Sequence, residues 1–165
     1  MKVLAVDGGG DQQKTTREIR GSGWSLIQFG DHPPLVLDGG LVPGGPDPFL
    51  AEITRDGSRL GEALRNEADQ LVVENFVPLI PRVNAGPLEI VGMMKTLGWA
   101  YDLPVAVQMP GQRTIVSHDD LKKHGYWPGG KGHADQAQAV RHALAWAILQ
   151  GNRPTVELFA PDPGE

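Results

Sequence analysis

Two short, unbroken apolar runs, each ended by a carboxylate, set the architecture open to this chain. Val3-Leu4-Ala5-Val6 runs into Asp7 and then Gly8-Gly9-Gly10, and Leu71-Val72-Val73 runs into Glu74. A strand turns successive side chains to opposite faces, so a run that is apolar at every position is buried on both. Neither run has the length of a helix. Both therefore read as inner strands of a sheet covered on each side, with an acid at the end of each. A third acid, Asp135, opens His133-Ala134-Asp135-Gln136-Ala137, the start of an Ala-rich helical stretch.

Two strand-end carboxylates and one helix-start carboxylate can converge on one spot above an α/β sheet. Oxygen ligands of that kind suit Mg²⁺ or Mn²⁺. Two such ions about 4 Å apart can drive in-line hydrolysis of a phosphodiester. Each acid also has an ordinary explanation. Strands commonly end in polar residues, the glycines after Asp7 can hydrogen-bond its carboxylate, and an acid in the first helical turn is favoured by the helix dipole.

The rest of the chain reads as follows. Asp11 to Arg20 is a polar hairpin loop closed by Gly21 and Gly23, with strands returning over 24–29 and 35–42. Pro43-Gly44-Gly45-Pro46 is a turn. Asp47 caps a helix with Pro48 at its first position, and Phe49, Leu50, Ile53, Leu60 and Leu64 form its apolar face. A helix over 87–101 carries Leu88, Val91, Leu97 and Tyr101 on one stripe with Met94 beside it. Residues 104–107 form a strand, and 117–124 a short helix capped by Ser117. Residues 126–132 form a loop, and the last helix runs over 134–150 with Gly151 as its stop. Residues 154–159 read as one short strand, and the Pro/Gly/acidic end as a disordered tail.

At 165 residues the chain fits a single domain over 1–153 followed by a tail over 154–165, long enough to bury roughly 70% of its unfolded surface. With no Cys, disulfides and thiolate metal sites are excluded. No apolar run approaches the ~20 residues of a membrane span, and the N-terminus begins a strand rather than a signal peptide. The expectation is a cytoplasmic protein with no membrane partner. A net charge of −5 sits poorly with nucleic-acid binding, because neutralising phosphates takes Lys and Arg. The distribution softens the objection: residues 1–74 carry a balance of −5, residues 75–153 carry +3 and the last twelve carry −3. Bound divalent ions would also reverse the local field of their ligands.

The order of elements and three stretches resemble the RuvC-type Holliday junction resolvases of the RNase H-like nuclease superfamily, especially the short phage-encoded members. Val6-Asp7-Gly8-Gly9 with Gly23-Trp24 is similar to the family's first hairpin. Val73-Glu74, the helix over 86–100 and Leu103-Pro104-Val105, followed by Met109-Pro110-Gly111-Gln112, is similar to its central stretch. Ala134-Asp135-Gln136-Ala137 with Arg141-His142-Ala143-Leu144 is similar to its last catalytic helix. The resemblance covers residues 1 to about 150. It implies an α/β fold of the RNase H-like type, a mixed central sheet of about five strands flanked by helices.

For the site, the resemblance implies that Asp7, Glu74 and Asp135 hold two Mg²⁺ ions, with Mn²⁺ able to substitute. The family commonly has an acid or a His three positions before the final Asp, where this chain has Gly132. His133, one residue away, is the candidate for proton transfer. His142, two turns beyond Asp135, reads as a packing residue. Phe76 stands near the place of an aromatic that touches junction bases, and Arg113, Lys122, Lys123 and Lys131 are candidate phosphate contacts. Branched DNA is the implied partner in a bacterial or phage-infected cell. The implied assembly is a homodimer seamed along the helix over 87–101, where Gly92 and Gly98 permit close approach and Met93 and Met94 adapt to a partner. Other readings are a related nuclease maturing ribosomal RNA, a non-catalytic nucleic-acid-binding subunit, and an actin-like ATPase. The last rests on Asp7-Gly8-Gly9-Gly10 with Lys14-Thr15, but it needs two such domains and the length supplies one.

Overall fold

The computed structural model describes residues 1–8, 21–75, 86–128 and 134–160. Gly9, Gly10, the 11–20 loop, Phe76, Lys131, Gly132, His133 and the end of the tail fall outside the described residues. Five strands, β1 (Lys2–Asp7), β2 (Gly21–Gln28), β3 (Leu35–Pro43), β4 (Gln70–Glu74) and β5 (Val105–Gln108), form one sheet in the order β3-β2-β1-β4-β5. The first three make an antiparallel meander, and β4 and β5 add in parallel beside β1. This is the mixed five-stranded sheet that the element order implied.

Both inner strands are buried on both faces, as their unbroken apolar runs require. On one side Leu4, Val6, Leu71 and Val73 pack with Phe49, Ile53, Leu60, Ile90 and Met94. These come from the helices α1 (Pro46–Thr54), α2 (Arg59–Glu62) and α3 (Gly86–Ala100). On the other side Val3, Ala5 and Val72 pack under α5 (Ala134–Leu149), with Leu121 of α4 (His118–Lys123) beside them. The Ala-rich face of α5 lets the helix lie close to the sheet. Closest is Gly23 on β2, where an added Cβ would stand 2.0 Å from the Asp135 carbonyl oxygen.

Several expected elements differ. Gly45, not Asp47, is the N-cap of α1, and Pro46 opens it. The single long helix expected here ends at Thr54, because Gly57 takes a left-handed φ of 70°. Ser58 then caps α2 by accepting a hydrogen bond from Gly61 N–H, and a π-helical turn spans Ala63–Glu67. A 3₁₀ helix over Pro110–Ile115 was not foreseen.

On α3 the buried stripe is Pro87, Ile90, Val91, Met94 and Gly98, whereas Leu88 and Tyr101 face solvent. Gly98 is small because Val105 lies against it, with an added Cβ 2.2 Å from Val105 Cγ2. Gly98 and Met94 therefore belong to the core rather than to a dimer seam. Residues 153–159 form a helix, α6 (Arg153–Phe159), not a strand. Asn152 Oδ1 accepts from Thr155 N–H and Pro154 sits in the first turn, an N-terminal signal that outweighs the β-branched Thr155 and Val156. Phe159 packs against the α5-side core and meets the rings of His124 and Tyr126 edge-on or tilted.

Candidate metal centre

Alternation along the strands decides which side chains meet. Val3 and Ala5 face α5, so Asp7 does too, and Val72 facing α5 carries Glu74 with it. On β5, Ala106 faces α5, and so does Gln108. Val6 pairs with Val73 and Glu74 with Gln108, so the three polar residues lie side by side where parallel strands end. Above them, Asp135 and His142 are seven residues apart on α5, two turns on one helix face.

The outcome is a cluster in which ligand atoms of Asp7, Glu74 and His142 lie within 4.8 Å of one another. Asp7 and His142 are buried and Glu74 is nearly so. Asp135 borders the cluster, half-buried at the start of α5, where its Oδ2 accepts a 3.4 Å hydrogen bond from Gly21 N–H. Its charge is felt at Asp7.

The two strand-end acids are driven apart electrostatically. Burial, then a hydrogen bond with Glu74 and the charges of Glu74 and Asp135, push the Asp7 pKa well above the usual carboxylate range, against a smaller pull from Arg113. Burial alone would raise Glu74 as well. The His142 ring beside it, a hydrogen bond from Asp7 and the charge of Arg113 outweigh it and bring Glu74 down to about 2. The pair therefore holds a proton more tightly at Asp7 than at Glu74, as expected of like charges confined together.

Arg113, expected to contact phosphate, closes one side of the cluster: its Nη1 donates to Glu74 Oε1 at 2.7 Å. The 3₁₀ helix that carries it is held by Arg141, which is buried on α5 and donates to Val116 O at 2.6 Å, Arg113 O at 3.1 Å and Gln138 Oε1 at 2.8 Å. Lys122 and Lys123 stand exposed on α4, with Lys122 paired to Asp119 and lying over the Trp127 ring. Phe76, Lys131 and His133 fall outside the described residues.

His142 is the correction that matters most. It is buried, as its reading as a packing residue implied, but its ring lies within reach of both strand-end acids. Its Nδ1 is 2.8 Å from Gln108 Oε1, and its buried Nε2, 3.5 Å from Glu74 Oε2, has no hydrogen-bond partner among the described residues. The seven-residue spacing from Asp135 was the available signal. Gln108 left none, since a Gln ending a short strand is unremarkable without the register to Glu74.

The donor set suits a divalent cation: two carboxylates, an adjoining third and an imidazole nitrogen lacking a partner. No protein-family model and no curated protein matches the sequence. Solved structures do. The chain superposes on "T. thermophilus RuvC in complex with Holliday junction substrate" with a TM-score of 0.64 and 19% identity, covering 91% of this chain and 94% of that one. A second similar structure, "Thermus thermophilus RuvC structure", gives a TM-score of 0.62 and 17% identity over 92% and 98% of the two chains. The likeness shows the fold: an RNase H-like architecture as found in RuvC, over nearly the whole chain.

Proposed function

We propose that this chain is a divalent-metal-dependent endonuclease of the Holliday junction resolvase type, cutting branched DNA by paired symmetric nicks. The observation that carries this reading is the meeting of Asp7, Glu74 and the α5 face at the strand ends of a RuvC-like fold. Asp7, Glu74 and Asp135 would hold two Mg²⁺ ions, for which Mn²⁺ could substitute. When bound, the ions supply an activated water and charge stabilisation for in-line displacement at phosphorus. The chain's own residues do the rest. A bound cation would favour the ionised form of Asp7, and Glu74, already low, would stay ionised. Arg113, already the cation beside Glu74, turns toward the phosphate when DNA enters. His133 moves a proton, Phe76 stacks on a base, and Lys122, Lys123 and Lys131 contact the backbone.

A four-way junction has approximate two-fold symmetry, so a two-fold dimer presents one site to each of two strands. The dimer surface is the exposed stripe of α3. Leu88, Gly92, Lys95 and Trp99 recur there on one face, Trp99 is 86% exposed, and a Cβ on Gly92 would meet none of the described residues within 4 Å.

The test is metal titration followed by cleavage of a four-way junction, linear duplex DNA and structured RNA. The expected outcome is metal-dependent cutting of the junction above the other two. A preference for RNA would favour the ribosomal-RNA reading, and junction binding without cleavage the non-catalytic one. Sedimentation at twice the 17.8 kDa chain mass, with linear product formed from a cruciform plasmid before nicked circle accumulates, is expected of paired incision. A monomer that yields only nicked circles refutes it.

A further inference from the structure

We infer that His142 is itself a metal ligand through Nε2, and that Gln108 is the positioning residue that aims it. This rests on the metal-dependent reading above and adds a nitrogen donor to its carboxylates.

The ring of His142 is fully buried, so each of its nitrogens needs an assigned role. Nδ1 faces Gln108 Oε1 at 2.8 Å. A carbonyl oxygen only accepts, so Nδ1 carries the proton and the lone pair of the neutral ring sits on Nε2. Among the described residues Nε2 has no hydrogen-bond partner, and it stands 3.5 Å from Glu74 Oε2, inside the carboxylate cluster. A lone pair aimed at carboxylate oxygens is unfavourable unless a cation lies between them. Histidines that bind metals characteristically donate their other nitrogen to a fixed acceptor, which sets tautomer and ring orientation together.

Gln108 is well placed to be that acceptor. It is the β5 residue in register with Glu74, and its backbone carbonyl accepts from Asn75 N–H at 2.6 Å. One stretch of the β4–β5 ladder thus positions both a carboxylate ligand and the residue that orients the imidazole. A nitrogen donor also inclines the site toward Mn²⁺ over Mg²⁺, which takes oxygen ligands almost exclusively.

The competing arrangement reverses the Gln108 amide. Its nitrogen would then donate to Nδ1, and His142 would donate from Nε2 to Glu74 as a strut between α5 and the sheet. The two arrangements differ in whether nitrogen touches metal. Electron spin-echo spectroscopy of Mn²⁺ on the wild-type protein reads this directly, as the ¹⁴N coupling of a coordinated imidazole. The coupling is expected in wild type and in His133→Ala, which removes the histidine proposed for proton transfer. Gln108→Leu is expected to weaken Mn²⁺ binding about 10–100-fold, the scale for losing an orienting partner, and Gln108→Glu, which still accepts, to restore it.

Mn²⁺ bound without ¹⁴N coupling, or with a coupling lost in His133→Ala, overturns the assignment of His142 and leaves the metal-dependent reading standing. Wild-type affinity in a cooperatively melting Gln108→Leu overturns the role of Gln108. Failure of the wild type to bind Mn²⁺ at all overturns the metal-dependent reading and this inference with it. The wild-type spectrum decides the ligand even if Gln108→Leu does not fold.

Discussion

Replacing Gly23 with Ala tests whether the site depends on how closely α5 approaches the sheet. The new Cβ would lie 2.0 Å from the Asp135 carbonyl oxygen and 2.5 Å from Gln136 N, whereas ordinary contact begins near 3.4 Å. The difference, 3.4 minus 2.0, means the first turn of α5 must move away by about 1.4 Å. Backbone atoms supply that clash, so no side-chain rotation relieves it. Asp135 moves with its own backbone, and its carboxylate leaves Gly21 N–H. A misplacement on the order of 1 Å costs about 10²-fold in rate where reacting groups must be held in line, and overpacking costs about 1–3 kcal/mol of stability. The assay pairs single-turnover cleavage of a four-way junction with Mn²⁺ affinity and a thermal melt. Gly23→Ala should cut roughly a hundredfold more slowly and bind Mn²⁺ more weakly, while still melting cooperatively at a lower temperature. Asp135→Asn, which leaves α5 in place, should lose turnover without the shift in melting. A Gly23→Ala protein with wild-type rate and affinity would show that Asp135 is not part of the working site.

Asp7→Asn should abolish cleavage and stabilise the metal-free protein at alkaline pH. The Asp7 pKa is raised on folding, so its contribution to stability is complete at acid pH and is lost as pH rises through the folded value. Glu74, lowered to about 2, has the opposite sign: its contribution is present above the ordinary carboxylate pKa and lost as pH falls toward 2. Melting curves across pH should therefore flatten on the alkaline side in Asp7→Asn and not on the acid side. Arg141→Leu should destabilise by about 1–3 kcal/mol in urea titration, because it strands the buried Val116 carbonyl; a change below about 0.5 kcal/mol would refute its role in holding the Arg113 segment. Trp99→Ser should leave the fold within about 0.5 kcal/mol, as exposed substitutions do, yet give a monomer in sedimentation if α3 is the dimer seam.

The sequence by itself determined the inner strands and the acids that end them. A short run apolar at every position reads as an inner strand, and a carboxylate at its end then lies at the sheet's rim, so Asp7 and Glu74 were legible as a pair. Ser117 at the start of α4 was legible for a similarly local reason, since a cap bonds to its own chain three residues on. What only the tertiary structure decided was which faces meet. On α3 both stripes carry apolar residues, and only the fit of Gly98 against Val105 shows that the Met94 side is inward. His142 could pack anywhere around α5 until the rotation of that helix over β1 and β4 was known. Gln108 gained its meaning from strand register with Glu74, a partner 34 residues away in sequence. Strand burial and helix caps act over a few residues and leave a local pattern. Helix rotation and strand register come from packing between distant segments, and they put the imidazole beside the carboxylates.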